Sequence, residues 1–341
     1  MSSIASADFQ ISRAGVVKAR TLRTTAELES IASEWLELWR SLPNSTPFQS
    51  PQWLLPWWRT FGSDSLLTLE IRLSGVLMAL APLYIYADGS VRRLLFLGTG
   101  NSDYLDLLIS PALDRNEFNH HLNEFLFEHD SLWDVADFQQ IQEHSLTAFM
   151  NTPDEFERSI FVQSYCPLLK LDRISKYAMK KLEYYERRLS CQGNLGIQLV
   201  SAKEHLNDAL SRFFDLHSAQ WQAKGLRGVL DNERVRNFHR LVATNLNETG
   251  HLRFYELKVN GISIAYVYGF QHARRFYSYL GGVDPDWTRF SVGSQLIGHA
   301  IRESLREDCA AFDFLRGREA YKYFWGAEDT MNYRCEIRRR V

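Results

Sequence analysis

The chain reads as an approximate duplication of one α/β unit, and this constrains its fold more than any single motif does. Trp39 and Trp221 lie 182 residues apart, Leu97 and Leu280 lie 183 apart, and Asp137 and Asp313 lie 176 apart, all close to half of 341. The same order of hydrophobic patterns runs through each half. In the second, helical periodicity covers Leu206 to Trp221 and Val235 to Leu246. Strand patterns follow at Leu252 to Val259, Ile262 to Phe270 and Arg275 to Val283, the first two joined by the hairpin dipeptide Asn260-Gly261. Next come an amphipathic helix from Ser291 to Glu307, a short strand from Ala310 to Leu315, a helix from Arg318 to Trp325 and a strand from Met331 to Ile337.

The first half repeats this order loosely. A strand at Val16 to Leu22 and a helix at Ala26 to Leu42 precede a tryptophan-rich segment from Phe48 to Phe61. Strands are expected at Leu66 to Leu73, Val76 to Tyr86 and Arg92 to Leu97, then a helix at Glu117 to Phe127. A strand at Trp133 to Phe138, a short helix near Leu146 and a strand at Ile160 to Leu171 complete it. The pattern predicts an α/β (α+β) protein of tandem domains, each a mixed, mainly antiparallel sheet flanked by helices. The expected division is 1–172, a connecting helix within 173–195, and 196–341. That helix carries Lys176, Lys180, Lys181, Arg187 and Arg188, offset in part by Glu183 and Glu186, and reads as a solvated connector or as a landing surface for tRNA, nucleotide or acidic glycan.

Charge excludes a general nucleic-acid trap, because 39 basic residues face 41 acidic ones and leave a net charge of −2. Cys166, Cys191, Cys309 and Cys335 form no CxxC pair or Cys/His cluster, so no metal is expected and the thiols read as reduced residues of a cytoplasmic protein. The start of the chain lacks a signal-peptide pattern, and the longest apolar run, Val76 to Tyr86, is far short of the ~20 residues of a membrane helix.

Chemistry is expected at the turn between the strand ending at Val283 and the helix beginning near Ser291. A helix start presents unpaired N–H groups and the positive end of its dipole, which suits a pyrophosphate. Gly293 would let backbone approach it, and Ser291, Val292 and Ser294 flank that glycine. The plainer alternative is a serine-capped helix packed tightly at Gly293.

The segments Gln220-Trp221, 250–270, 275–301 and 312–326, together with 46–62 and 96–111, resemble the GNAT-type acyltransferases of the CelD/BcsL-like group. That group is linked to cellulose and other exopolysaccharide biosynthesis and is related to the Fem-type aminoacyltransferases. The resemblance implies an acyl-CoA co-substrate, a sugar-type acceptor and transfer to nitrogen or oxygen. A Fem-like use of aminoacyl-tRNA and a non-catalytic accessory role are the alternatives. The pyrophosphate loop departs from the usual Gln/Arg-x-x-Gly-x-Gly/Ala pattern, since Arg289 stands one residue out of step before Gly293. In the first half, Gly98 and Gly100 lead into Asp103 and Asp106, whose charges would repel a pyrophosphate, so the second half is the expected donor host.

Acyl transfer needs a base, donors for the tetrahedral oxyanion and an acid for the thiolate. A strand backbone N–H near Leu280 to Val283 is the expected oxyanion donor, and Leu280, Gly282, Val283 and Arg289 are expected to touch the acyl-CoA. Asp313 and Asp103 are the candidate bases, with Glu319 behind them, and Asp313 is raised by its Phe312 and Phe314 neighbours or else neutralised by Arg316 or Arg318. Tyr321 and Tyr104 are candidate acids. Lys322, set between aromatics, resembles a Fem-type lysine facing the substrate cleft and would bind phosphate or carboxylate; otherwise it snorkels. The acceptor is expected to meet Tyr104, Trp221, Arg316 and Glu319. Trp53, Trp57 and Trp58 are expected in the core, with a sugar-stacking platform as the alternative. No histidine spacing marks a catalytic residue.

Overall fold

The computed structural model describes residues 16–62, 65–145 and 152–340, so the expected helix near Leu146 lies outside the described residues. The first half contains strands β1 (Val17–Leu22), β2 (Thr68–Leu73), β3 (Val76–Ala81), β4 (Leu83–Asp88), β5 (Val91–Phe96), β6 (Leu108–Ile109), β7 (Val135–Gln142) and β8 (Phe156–Lys170). Its helices are α1 (Thr25–Ser30), α2 (Ala32–Ser41), α3 (Pro51–Phe61) and α4 (Arg115–Glu128). The second half opens with α5 (Lys176–Ser190), β9 (Leu195–Leu199), α6 (Lys203–Gln222) and α7 (Glu233–Glu248). It continues through β10 (Leu252–Val259), β11 (Ile262–His272), β12 (Arg275–Val283), α8 (Val292–Arg306), β13 (Ala311–Asp313), α9 (Ala320–Phe324) and β14 (Glu328–Arg339).

Local chemistry explains the boundaries. The β10–β11 hairpin turns on Asn260 at φ 50° and Gly261 at φ 81°, the left-handed pair that an Asn-Gly dipeptide adopts at low cost. Val76 to Tyr86 is two strands, because Pro82 has no N–H for a ladder; β3 and β4 diverge there into different sheets. The expected helix from Ala26 to Leu42 is likewise two, α1 and α2, meeting at Ile31.

β1, β2, β3 and β6 form a small sheet, and the other strands form one ten-stranded sheet in the order β4-β5-β7-β14-β8-β13-β12-β11-β10-β9. The duplication is visible in it. The antiparallel β4–β5 pair is followed by α4 and by β7, parallel to β5; the antiparallel β11–β12 pair is followed by α8 and by β13, parallel to β12. The closing strands are exchanged. β14, last in sequence, pairs with β7 of the first half, while β8 pairs with β13 of the second. β8 and β14 then pair with each other along twelve register positions. A cut near residue 172 or 196 therefore divides the chain without dividing the sheet.

One core joins the halves as well. Trp35, Trp39, Trp53 and Trp57 pack in the same cluster as Phe213, Phe214, Phe238, Tyr266 and Tyr268. A second cluster lies under α4 and a third under α5 and α8.

Candidate active site

β12 and β13 run in register for only three pairs, ending at Tyr277 opposite Asp313. Beyond that point β12 continues to Val283 with no strand on that side among the described residues. The ladder to β11 fixes which of its backbone groups face the gap. Asp284 N–H donates to the Ile264 carbonyl at 2.8 Å, so Asp284 and Ile264 form a hydrogen-bonded pair. Antiparallel pairs alternate. Gly282 and Leu280 thus point their N–H groups at β11, opposite Tyr266 and Tyr268, while Gly281 and Val283 point theirs into the gap. Within the expected stretch from Leu280 to Val283, the N–H groups of Leu280 and Gly282 are committed to the ladder, which leaves those of exposed Gly281 and of Val283 free to face the gap.

The helix start lies at the end of this strand. Pro285–Phe290 forms a short 3₁₀ turn, and Ser291, at φ 57°, swings the chain into α8. No side chain caps α8 among the described residues, so its first N–H groups keep their donors for a ligand. Val292 is buried, whereas Gly293 and Ser294 are half-buried. A Cβ at Gly293 would lie 3.2 Å from Val283 Cγ2, so the glycine also serves tight packing. Arg289 is exposed, with its guanidinium 4.9 Å from the Phe290 ring centroid, and Arg188 of α5 lies 5.8 Å from the same ring. Two cations therefore flank the helix start, one of them from the basic connecting helix.

The carboxylates named from the sequence are engaged elsewhere. Asp313 is buried on β13; the Tyr104 hydroxyl donates to its two oxygens at 3.0 and 2.9 Å, and Leu315 N–H donates at 2.9 Å. Arg275 of β12 stands 3.4 Å away. Burial pushes the Asp313 carboxyl upward and Arg275 opposes it. The neutralising arginine is thus Arg275 rather than Arg316 or Arg318. The first half repeats the pairing, since Arg93 of β5 lies 3.4 Å from buried Asp137 of β7. A device built twice at equivalent places in the sheet is framework.

Arg316 pairs with Asp103, whose carboxyl is also pushed up by burial and pulled back by that arginine. Tyr104 is buried and its phenol is pushed far up by burial, which makes it a poor acid for a thiolate. Lys322 needs a correction. Its Nζ is buried and donates to the carbonyls of Leu315, Arg316 and Gly317 at 3.3, 2.7 and 3.1 Å, with Glu319 at 2.9 Å. An ammonium has three protons, so the phosphate-binding role has no donor left. Nor does it snorkel, because the head is inside. Lys322 holds the loop that carries Arg316. Tyr321 is exposed beside Phe314, and Glu319 is exposed apart from its contact with Lys322.

The tryptophans are core, as expected. Trp53 Nε1 donates to Ser102 Oγ at 2.9 Å and Trp57 Nε1 to Asn101 Oδ1 at 3.0 Å, so both pin the loop running into Asp103 and leave no free face for a sugar. Trp221 is half-buried at the end of α6, with His217 one turn before it. His217 lies against the outward edge of β12, its Nδ1 2.8 Å from the Gly281 carbonyl. No motif spacing marks this residue; the available signal was its place four residues ahead of Trp221, on the same helical face. Metal was set aside from the sequence, yet His120, His121 and Glu124 on α4 do bring ligand atoms within 4.8 Å of one another.

Residues 176–323 match the family described as Acetyltransferase (GNAT) domain, and the match supports an acyltransferase. No curated protein matches the chain in sequence. Among solved structures, FemX is similar with a TM-score of 0.64 at 10% identity, covering 93% of this chain and 96% of that one. The C-terminal domain (DUF2156) of a protein assigned as lysylphosphatidylglycerol synthetase from Agrobacterium fabrum gives 0.60 at 12%, covering 92% of each. L-PGS from Bacillus licheniformis gives 0.50 at 14%, covering 76% of this chain and 80% of that one. At such identities these likenesses speak to the fold. No helix among the described residues is long and apolar enough to cross a membrane.

Proposed function

We propose that the chain transfers an acyl group from an acyl-CoA to an amine or hydroxyl of a sugar or polysaccharide precursor in the cytoplasm, with the donor held by the second half and the acceptor shaped in part by the first. The observation that carries the reading is the parting of β12 from β13. It leaves the N–H groups of Gly281 and Val283 facing a gap that ends at an uncapped helix start flanked by Arg188 and Arg289. An extended donor can pair with the strand edge, its carbonyl oxygen meeting a fixed N–H as negative charge develops. Its pyrophosphate would then meet the α8 N–H groups and the two guanidinium groups. The sugar acceptor rests on the resemblance to the CelD/BcsL-like group. A native-state ligand must raise the melting temperature, so a thermal-shift panel from acetyl- to long-chain acyl-CoA, with desulfo-CoA as control, should show a donor-dependent rise. No shift across the panel sinks the proposal.

One feature favours aminoacyl-tRNA as an alternative donor. Lys176, Lys180, Arg187 and Arg188 are exposed on α5 and interleave with exposed Tyr177 and Tyr184, a pattern suited to backbone phosphates and bases. The fold likeness to FemX is in keeping with the Fem-type resemblance of the sequence. Binding to tRNA that falls steeply with salt would support it, and salt-indifferent binding would count against it.

A further inference from the structure

We infer that His217 is the proton acceptor for the attacking nucleophile, an assignment that rests on the acyl-CoA reading above. The residue reaches the site through the packing of α6 on β12. A Cβ at Gly282 would lie 3.1 Å from His217 N and from Phe213 O, so glycine at that position is what lets the helix backbone sit on the strand. The imidazole then lies at the outward edge of β12, where Gly281 is exposed and Val283 half-exposed.

A carbonyl only accepts, so the 2.8 Å contact with Gly281 puts the proton on Nδ1 and the lone pair of the neutral ring on Nε2. Nε2 is buried and has no partner among the described residues. Buried polar atoms without partners are rare in folded proteins, and this one sits beside the strand edge that meets the acyl group. Gly228 packs closely against it without filling the space a side chain would take: a Cβ there would stand 3.3 Å from Nε2 and 3.1 Å from Trp221 Cδ1. The other candidate bases lack this freedom, since Asp313 is held by Tyr104, Arg275 and Leu315, and Asp103 by Arg316.

The groups facing the ring are Asp231 from the turn before α7, Arg236 and His239 from α7, and Lys224 from the turn after α6. Burial, Lys224 and Arg236 lower the imidazole below its ordinary range, while the Gly281 carbonyl and Asp231 oppose them. The ring is therefore the free base at neutral pH. As the acceptor nitrogen or oxygen bonds to the acyl carbon, its proton passes to Nε2. The C–S bond then breaks, the thiolate leaves with the electron pair, and the proton moves from Nε2 to sulfur. The products are acylated acceptor and CoA thiol, with the ring neutral again.

The test uses the full chain with acetyl-CoA, water standing in for the acceptor, and thiol release as the readout. His217→Asn keeps an N–H near the Nδ1 position for Gly281 and removes the basic nitrogen. It should bind acetyl-CoA with a wild-type melting shift and release thiol about 100-fold more slowly, the usual size of general-base loss. It should also lose the acid limb that wild type shows below the ordinary histidine range. Gly228→Ala should slow release while leaving the ring's tautomer unchanged. Wild-type rates and pH profile in His217→Asn overturn the inference alone, whereas no acetyl-CoA shift in wild type overturns the donor reading beneath it. If acetyl-CoA binds without hydrolysis, ¹⁵N-histidine NMR decides: the neutral Nδ1–H tautomer at pH 7 with an Nε2 signal that moves on binding supports the assignment. The Nε2–H tautomer or an imidazolium overturns it.

Discussion

At the scale of single residues, two charged groups that look catalytic in the sequence are structural. Asp313 links β13 to β12 through Arg275 and to the first half through Tyr104. Tyr104→Phe removes a buried hydrogen bond to a charged group and should cost about 2 kcal/mol in urea unfolding. Asp313→Asn leaves Arg275 without its counter-charge and should cost at least as much, about 2–3 kcal/mol, less than removal from a fully buried pair because the arginine is one-third exposed. Lys322 gathers three carbonyls of the loop that carries Arg316. Lys322→Met should free that loop, so limited trypsin digestion should cut after Arg316 or Arg318 at least several-fold faster than in wild type. The sequence showed that these residues were unusual. It did not show which partners they had, because Tyr104 and Arg275 lie 209 and 38 residues from Asp313.

Elements were more legible than sites. The spans of β10 and β12 appear in the sequence pattern as the structure has them, because alternation and an Asn-Gly turn are local signals. β9 and β6 were missed, being short strands defined by their neighbours rather than by their own pattern. The α6–β12 contact was also hidden, since it depends on Gly282 meeting Phe213 and His217 from 65 or more residues away. Gly282→Val should push α6 off the strand and break the His217–Gly281 bond. The expected result is a lower melting temperature together with loss of the Nδ1-protonated tautomer in the histidine NMR spectrum.

For the whole molecule, the exchange of β8 and β14 makes the two halves one sheet. Truncation after Ala327 removes the strand between β7 and β8, and both halves should lose near-ultraviolet circular dichroism together. Survival of a folded second half would contradict this. The acid side of stability belongs to this scale too. His239 and His272 are buried and pushed down to about 3, each by burial first. Below about pH 6.5 the unfolded chain takes up protons that the native state refuses. Stability present in full above that pH is therefore lost as pH falls toward 3, by about 1.4 kcal/mol per pH unit for each group. His239→Phe should reduce that slope when urea midpoints are followed from pH 7 to 4.

The sequence by itself determined the repeated order of helices and strands, because hydrophobic periodicity and turn dipeptides act over a few residues. It also pointed to the end of β12 and the start of α8 as the place where a donor is proposed to bind. Only the tertiary structure decided which strand closes which half, which N–H groups of β12 face the gap, and that its outward edge meets His217. Those are consequences of register and of contacts between distant segments, and a one-residue change of register would have exchanged Gly281 for Gly282 at the site.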